Sequence, residues 1–252
     1  MARPALHALL AVCLLTAGCS VLGPDHTRDE RAEAALENAT DALAATETYR
    51  FESNLSVSAT ADSRTKRIDA RVTGVVDAAA RAVRSNTTSD GESRRTYVLN
   101  RTVYRECVSP WDGWGVEDLD DDTEWASRTV AHRQLSLLET GSLYWNGTET
   151  IDGERVAVVT GEPTTDALAD YRNERSQPLL GGASVDDAEL RAWIDPDTGR
   201  LRRTRLHVTV SKGDNSAATT AVTTFGEYGE PVTIDLPDGA RTNQHELGCP
   251  GD

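Results

Sequence analysis

Thr48-Tyr-Arg-Phe-Glu-Ser-Asn-Leu-Ser-Val-Ser-Ala59 is the stretch that decides the fold. Tyr49, Phe51, Leu55, Val57 and Ala59 fall on one side of an extended chain, and Arg50, Glu52, Asn54 and Ser56 fall on the other. That period of two is the mark of a strand with one apolar face. Just upstream the period is helical. Ala32, Ala35, Leu36, Ala39 and Leu43 share a face opposite Glu33, Glu37 and Asp41, and Thr27-x-x-Glu30 reads as a capping box opening that helix. Downstream, strand-like stretches recur at 67–76, 80–86, 95–100 and 102–107, with turn-like residues between them. Spacing this short describes an antiparallel meander rather than strand–helix–strand crossovers.

Residues 110–125 are irregular and aromatic, with Trp111, Trp114, Trp125 and the run Asp120-Asp121-Asp122. A short helix is expected over 129–140, then a hairpin around Asp152-Gly153. Thr164 caps a second short helix bearing Leu168 and Tyr171, and 177–186, with Gly181-Gly182, reads as a mobile loop. Strands at 189–195, 201–211 and 217–228 close the domain. The expected class is α+β, mainly β. A sheet this long must curl or be covered, because a broad exposed apolar face is unfavourable in water.

Outside the domain, residues 1–18 read as a signal peptide: Arg3 is the basic start, and the apolar run 5–15 is too short to cross a bilayer. Leu15-Thr16-Ala17-Gly18-Cys19 resembles a lipobox, with small side chains ahead of a thiol that takes a glycerol lipid; Thr16 stands where a larger aliphatic residue is usual. The expected layout is a lipidated tether over 19–27, a domain over 28–240 and a tail over 241–252. The protein would then sit outside the cell, held to the membrane by the lipid on Cys19. Cys13 goes with the signal. Cys107 and Cys249 are the two thiols left, free to form a disulfide outside the cell or to stay reduced. Asn38, Asn54, Asn86, Asn100 and Asn146 each head an Asn-x-Ser/Thr sequon for N-glycosylation.

The formal net charge is −15, and Lys66 and Lys212 are the only lysines. Excess carboxylate with scarce lysine keeps a surface hydrated in molar salt, where charges are screened within about 3 Å. The composition reads as that of a salt-loving organism, a haloarchaeon, rather than an ordinary acidic mesophile. Such a surface makes nucleic acid a poor partner.

Three late stretches carry a family resemblance. Leu190-Arg-Ala-Trp193-Ile194-Asp195 stands before the Gly199 turn; a second stretch runs from Thr224-Phe225 through Tyr228-Gly229 and Pro231 to Leu236-Pro237; the third is the junction 45–51. In these the chain resembles the LolA-like lipoprotein carriers, and more closely their LppX–LprG-type lipoprotein relatives. The resemblance implies a strongly curved antiparallel sheet, an unclosed barrel, with helices covering its concave face and an apolar cavity between. On that reading the cavity wall draws on Tyr49, Phe51, Leu55, Val57, Trp145 and Trp193, with Trp111 and Trp114 near its mouth. A dry core would use the same aromatics.

Two roles follow: binding or carrying a lipid or other apolar ligand, or acting as a cell-surface interaction or envelope-sensing module with a protein partner. For the second, the 118–124 acidic loop and the loop near Gly181 are the contact candidates. An enzyme is not expected. His26, His132, His207 and His245 are isolated, and no nucleophile, metal or phosphate motif occurs. Asp195-Pro-Asp197-x-Gly199 reads as a hairpin turn rather than a calcium loop, and 120–122 as hydrated surface. Neither cofactor nor metal is implied.

Overall fold

The computed structural model describes residues 26–120, 123–173, 183–246 and 248–250. Four readings lie outside these residues: the signal peptide, Cys19 with its lipobox, most of the tether, and the Gly181 loop.

Helix α1 spans Glu30–Ala44 and turns Ala32, Leu36 and Ala39 into the core. Its cap is not Thr27. Asp29 is the N-cap, and its carboxylate accepts the Arg31 backbone N–H. The reason is that the chain before it is still extended: Leu143 N–H donates to the Thr27 carbonyl, and Asp29 N–H donates to the Leu143 carbonyl. Thr27 and Arg28 thus line the edge of the sheet, and the helix starts only beyond them.

Strands follow at β1 Thr48–Ala61, β2 Arg64–Asp77, β3 Ala82–Ser89, β4 Glu92–Leu99, β5 Thr102–Glu106 and β6 Trp114–Asp118. Helix α2, Val130–Leu138, and hairpin β7 Ser142–Ile151 with β8 Glu154–Glu162 come next. Helix α3, Thr165–Asn173, has the Thr164 hydroxyl accepting the Ala167 N–H at its start. Strands β9 Ser184–Ile194, β10 Leu201–Lys212 and β11 Asn215–Gly226 complete the main sheet; a short helix α4, Gly239–Thr242, and strand β12, Gln244–His245, end the chain. Two expectations need correction. The loop placed at 177–186 gives way to β9 from Ser184 onward, and the irregular 110–125 region contains β6, held between β5 and β12.

The twelve strands of the described residues form one curved, unclosed sheet in the order β12-β6-β5-β4-β3-β2-β1-β11-β10-β9-β8-β7. The pairs are antiparallel except at β12–β6, where the chain end returns parallel to β6. Tight turns need left-handed backbone, and the sequence supplies residues that tolerate it. Asp62-Ser63, Asp90-Gly91 and Asp152-Gly153 all have positive φ. Helices α1 and α2 pack on each other and lie over β7, β8 and β9, while α3 packs on α2. The main core sits between these helices and the sheet.

The end of the chain is part of the domain rather than a tail. Leu236 and Ala240 cover Tyr97 and Trp114 on the other face of the sheet, and Cys249 is disulfide-bonded to Cys107 with Cα atoms 5.3 Å apart. Gly115 permits this return, since a Cβ there would collide with the backbone of Gly248 and Cys249.

Candidate functional site

Strand alternation divides the side chains of the sheet between two faces, and the pairing registers show which residues share one. Tyr49, Val76, Val83, Val98 and Val103 form one row across β1 to β5 on the helix-covered, concave face. The same phase of β1 continues through Phe51, Ser53, Leu55, Val57 and Ala59. Across the pairings it meets Phe225, Thr223, Ala221, Thr219 and Ala217 of β11, then Thr204, Leu206, Val208 and Val210 of β10.

This face has two zones. In the first, the helices complete a closed core. Tyr49 lies at the start of α2 among Val130 and Ala131, with its ring 6.0 Å from Tyr228 and 6.2 Å from Phe225. Burial pushes the Tyr49 phenol up to about 12, because ionising it there would strand a charge away from water. Beside it a polar chain crosses the core: Gln134 of α2 bonds to Thr204 and Thr223, and Thr223 to Ser53. All but Ser53 are buried.

In the second zone the face continues along β1, β2 and β9 to β11. Phe51, Leu55, Val72, Val185, Ala188 and Val208 are only half-buried there, while Val57, Val210 and Ala217 are buried. Phe51 leans across Gly74 of β2, where an added Cβ would collide with its ring. The result is a strip of apolar side chains on a curved floor, interrupted between Phe51 and Leu55 by Ser53.

The eight expected lining residues are not brought together. Tyr49, Phe51, Leu55 and Val57 share the concave face, and Tyr49 belongs to the closed zone. Trp145 is also on this face but at its far end beside α1, under the Arg31 guanidinium at 5.5 Å from the ring. The other three tryptophans expected there do not line it. Trp193 is in the opposite phase to Ala192: it packs with Val156 and Val158, and its indole N–H donates to Glu149 at 2.7 Å. Trp114 stacks edge-on against Tyr97 beneath the returning chain end. Trp111 is in a loop and 47% exposed. Sequence reasoning missed Gln134, Thr204, Thr223 and Ser53, since a lone amide on a helix and hydroxyls in strands carry no motif.

Between two small apolar clusters, one around Trp114 and one around Trp193, the convex face is polar. A groove of 690 Å³ there is walled by Arg50, Glu52, Arg84, Arg95 and Tyr97, with ion pairs Arg50–Glu227 at 2.6 Å and Arg95–Glu106 at 2.6 Å. A second cavity of 270 Å³ sits between α1 and the sheet, bounded by Arg31, Asn38, Trp145, Ile194 and Pro196. Asn38, Asn54, Asn100 and Asn146 are exposed and Asn86 is half-buried. Among the described residues, no group of three His, Cys, Asp or Glu is placed to hold a metal ion, and no helix is long and apolar enough to cross a membrane. The Asp195 carboxylate accepts the N–H groups of Asp197 and Thr198, closing its own turn.

The architecture is thus a helix-covered, unclosed antiparallel half-barrel with an apolar strip on its inner side. No family model matches the chain. Among known proteins it is similar to the lipoarabinomannan carrier protein LprG of Mycobacteroides abscessus, 25% identical over 240 residues that cover 93% of this chain and 97% of that protein. Among solved structures it is similar to the Mycobacterium tuberculosis lipoprotein LppX, at TM-score 0.48 and 19% identity, covering 82% of this chain and 100% of that one. LprF from Mycobacterium bovis gives TM-score 0.46 and 14% identity, covering 84% and 99%.

Proposed function

We propose that this protein is an extracytoplasmic lipoprotein, tethered through Cys19, whose domain binds or carries a lipid or another apolar molecule on the concave face. The observation that carries the reading is the strip of half-buried Phe51, Leu55, Val72, Val185, Ala188 and Val208 on the concave face, all but Val72 packed against the main core. Apolar surface gathered in one place on a concave wall favours an apolar guest, at roughly 25 cal/mol for each Å² taken out of water. Similarity over nearly the full length to a protein named as a lipoarabinomannan carrier supports it. So does the lipobox-like run ending at Cys19, since a two-chain lipid on that thiol holds a domain at the membrane while a single chain binds only marginally. Glycans on the exposed Asn38, Asn54, Asn100 and Asn146 would stand away from the strip. The reading assigns no catalysis and needs no cofactor.

The test is to purify the chain from its own membranes and from a Cys19→Ser variant, then analyse each by native mass spectrometry. The expected result is that the parent fractionates with membranes, the variant does not, and the parent carries an apolar small molecule. That cargo should fall severalfold when Leu55→Trp fills the strip. A protein that is empty in every preparation, or that carries only a protein partner, overturns the reading in favour of an interaction module.

A further inference from the structure

The polar chain that reaches the strip at Ser53 has a direction. Gln134 is 1% exposed, so both ends of its amide need partners inside the protein. The Thr204 hydroxyl donates to Gln134 Oε1 at 2.6 Å, the length of an O–H···O bond, which fixes the amide oxygen on that side. Gln134 Nε2 then donates to Thr223 Oγ1 at 3.4 Å, and Thr223 donates to Ser53 Oγ at 3.0 Å. Each hydroxyl has one proton. Those of Thr204 and Thr223 are committed, so Ser53 accepts from the chain and its own proton is left to point elsewhere. Among the described residues none accepts it.

Ser53 is also the polar interruption in an apolar row. Phe51 and Leu55 flank it on the same face of β1, and Val72 faces it from β2. It is half-buried, and it joins the polar chain of the core to the strip. At this half-buried position that proton is open to solvent, and an acceptor on an incoming ligand that displaces solvent there takes it up.

We infer that Ser53 is a specificity-determining contact: its hydroxyl donates to an acceptor oxygen of the bound amphiphile, the ether, ester or ketone oxygen that borders an apolar chain. This rests on the proposed binding of an apolar ligand and adds what orients it. Gln134, Thr204 and Thr223 are positioning residues, acting through Ser53 by filling its acceptor side.

The test uses the chain from Ser20 onward, which keeps every strand and helix described, with Nile red as a neutral reporter. The dye is displaced by 2-tridecanone or by tridecane, which differ in one acceptor oxygen. In Ser53→Ala the ketone-to-alkane affinity ratio falls about three- to ten-fold, the worth of one neutral hydrogen bond, while alkane affinity holds. Ser53→Thr restores the ratio, which a merely structural role for this position would not do. An unchanged ratio in Ser53→Ala overturns the inference and leaves apolar binding standing. Failure of both probes to bind the parent overturns the binding reading and this one together.

Discussion

Glu106 shows how a single carboxylate can tie the sheet at its convex side. It accepts the Arg95 backbone N–H at 3.1 Å, Arg95 Nε at 2.9 Å and Nη2 at 2.6 Å, and the same guanidinium stands 5.3 Å from the Trp114 ring. The Arg95 hydrogen bonds hold the Glu106 carboxyl below its usual 4.5, against a smaller opposing push from burial. A folded-state value below the unfolded one means the unfolded chain takes up the proton first. The stabilisation is therefore present above about pH 4.5 and is lost as the pH falls through the depressed value. Both side chains are partly exposed, at 46% and 29%, so solvent screening limits the pair to about 1 kcal/mol or less. Glu106→Gln should lower the melting temperature by a few degrees at pH 7, with the gap from the parent closing as the pH falls below about 4.5, read by circular dichroism. A gap that widens in acid would contradict this assignment. At the same scale, Tyr49, Phe51, Leu55 and Val57 were legible because β1 is apolar on one side only. Trp193 was not, because Leu190, Ala192 and Ile194 face one way while Trp193 opposes Val158 on the other. A strand apolar on both faces conceals its phase.

Among the elements, most strands and the helices α1 to α3 could be read from periodicity, and the β7–β8 hairpin from Asp152-Gly153. What could not be read depended on partners distant in sequence. Strand β6 lies in a run broken by Pro110, Gly113 and Gly115, and exists because β5 and the returning β12 hydrogen-bond to it. Helix α1 begins after Asp29 rather than Thr27 because the preceding residues are occupied in pairing with Leu143. The chain end depends on the Cys107–Cys249 disulfide, which spans 142 residues. Replacing both cysteines with serine should cost roughly 2–5 kcal/mol of stability, since the unfolded chain regains its freedom. Protease cleavage should then appear first between Glu230 and the chain end, with Trp114 fluorescence shifting to the red as Leu236 and Ala240 lift away. Cleavage elsewhere, with Trp114 unmoved, would show that the segment packs without its covalent link. Ligand binding should survive, because this segment covers the convex side.

For the whole molecule, the fold separates chemistry by face. The convex side carries arginine–glutamate pairs, threonines and a polar groove; the concave side carries the core, a buried polar chain and the apolar strip. The class of fold was legible from alternation and spacing. Which residues of the concave face stay half-buried was not, because that is set by packing between elements distant in sequence and by Gln134, a residue no motif marks. The central claim is that an apolar guest lies on that strip, and methyl-resolved NMR of the domain with labelled Leu and Val tests it directly. Titration with a long-chain amphiphile should move the methyl signals of Leu55, Val57, Val185, Val208 and Val210 while leaving Val116 and Val222 on the convex side in place. Shifts confined to the convex face, or none at all in the presence of excess amphiphile, would contradict it.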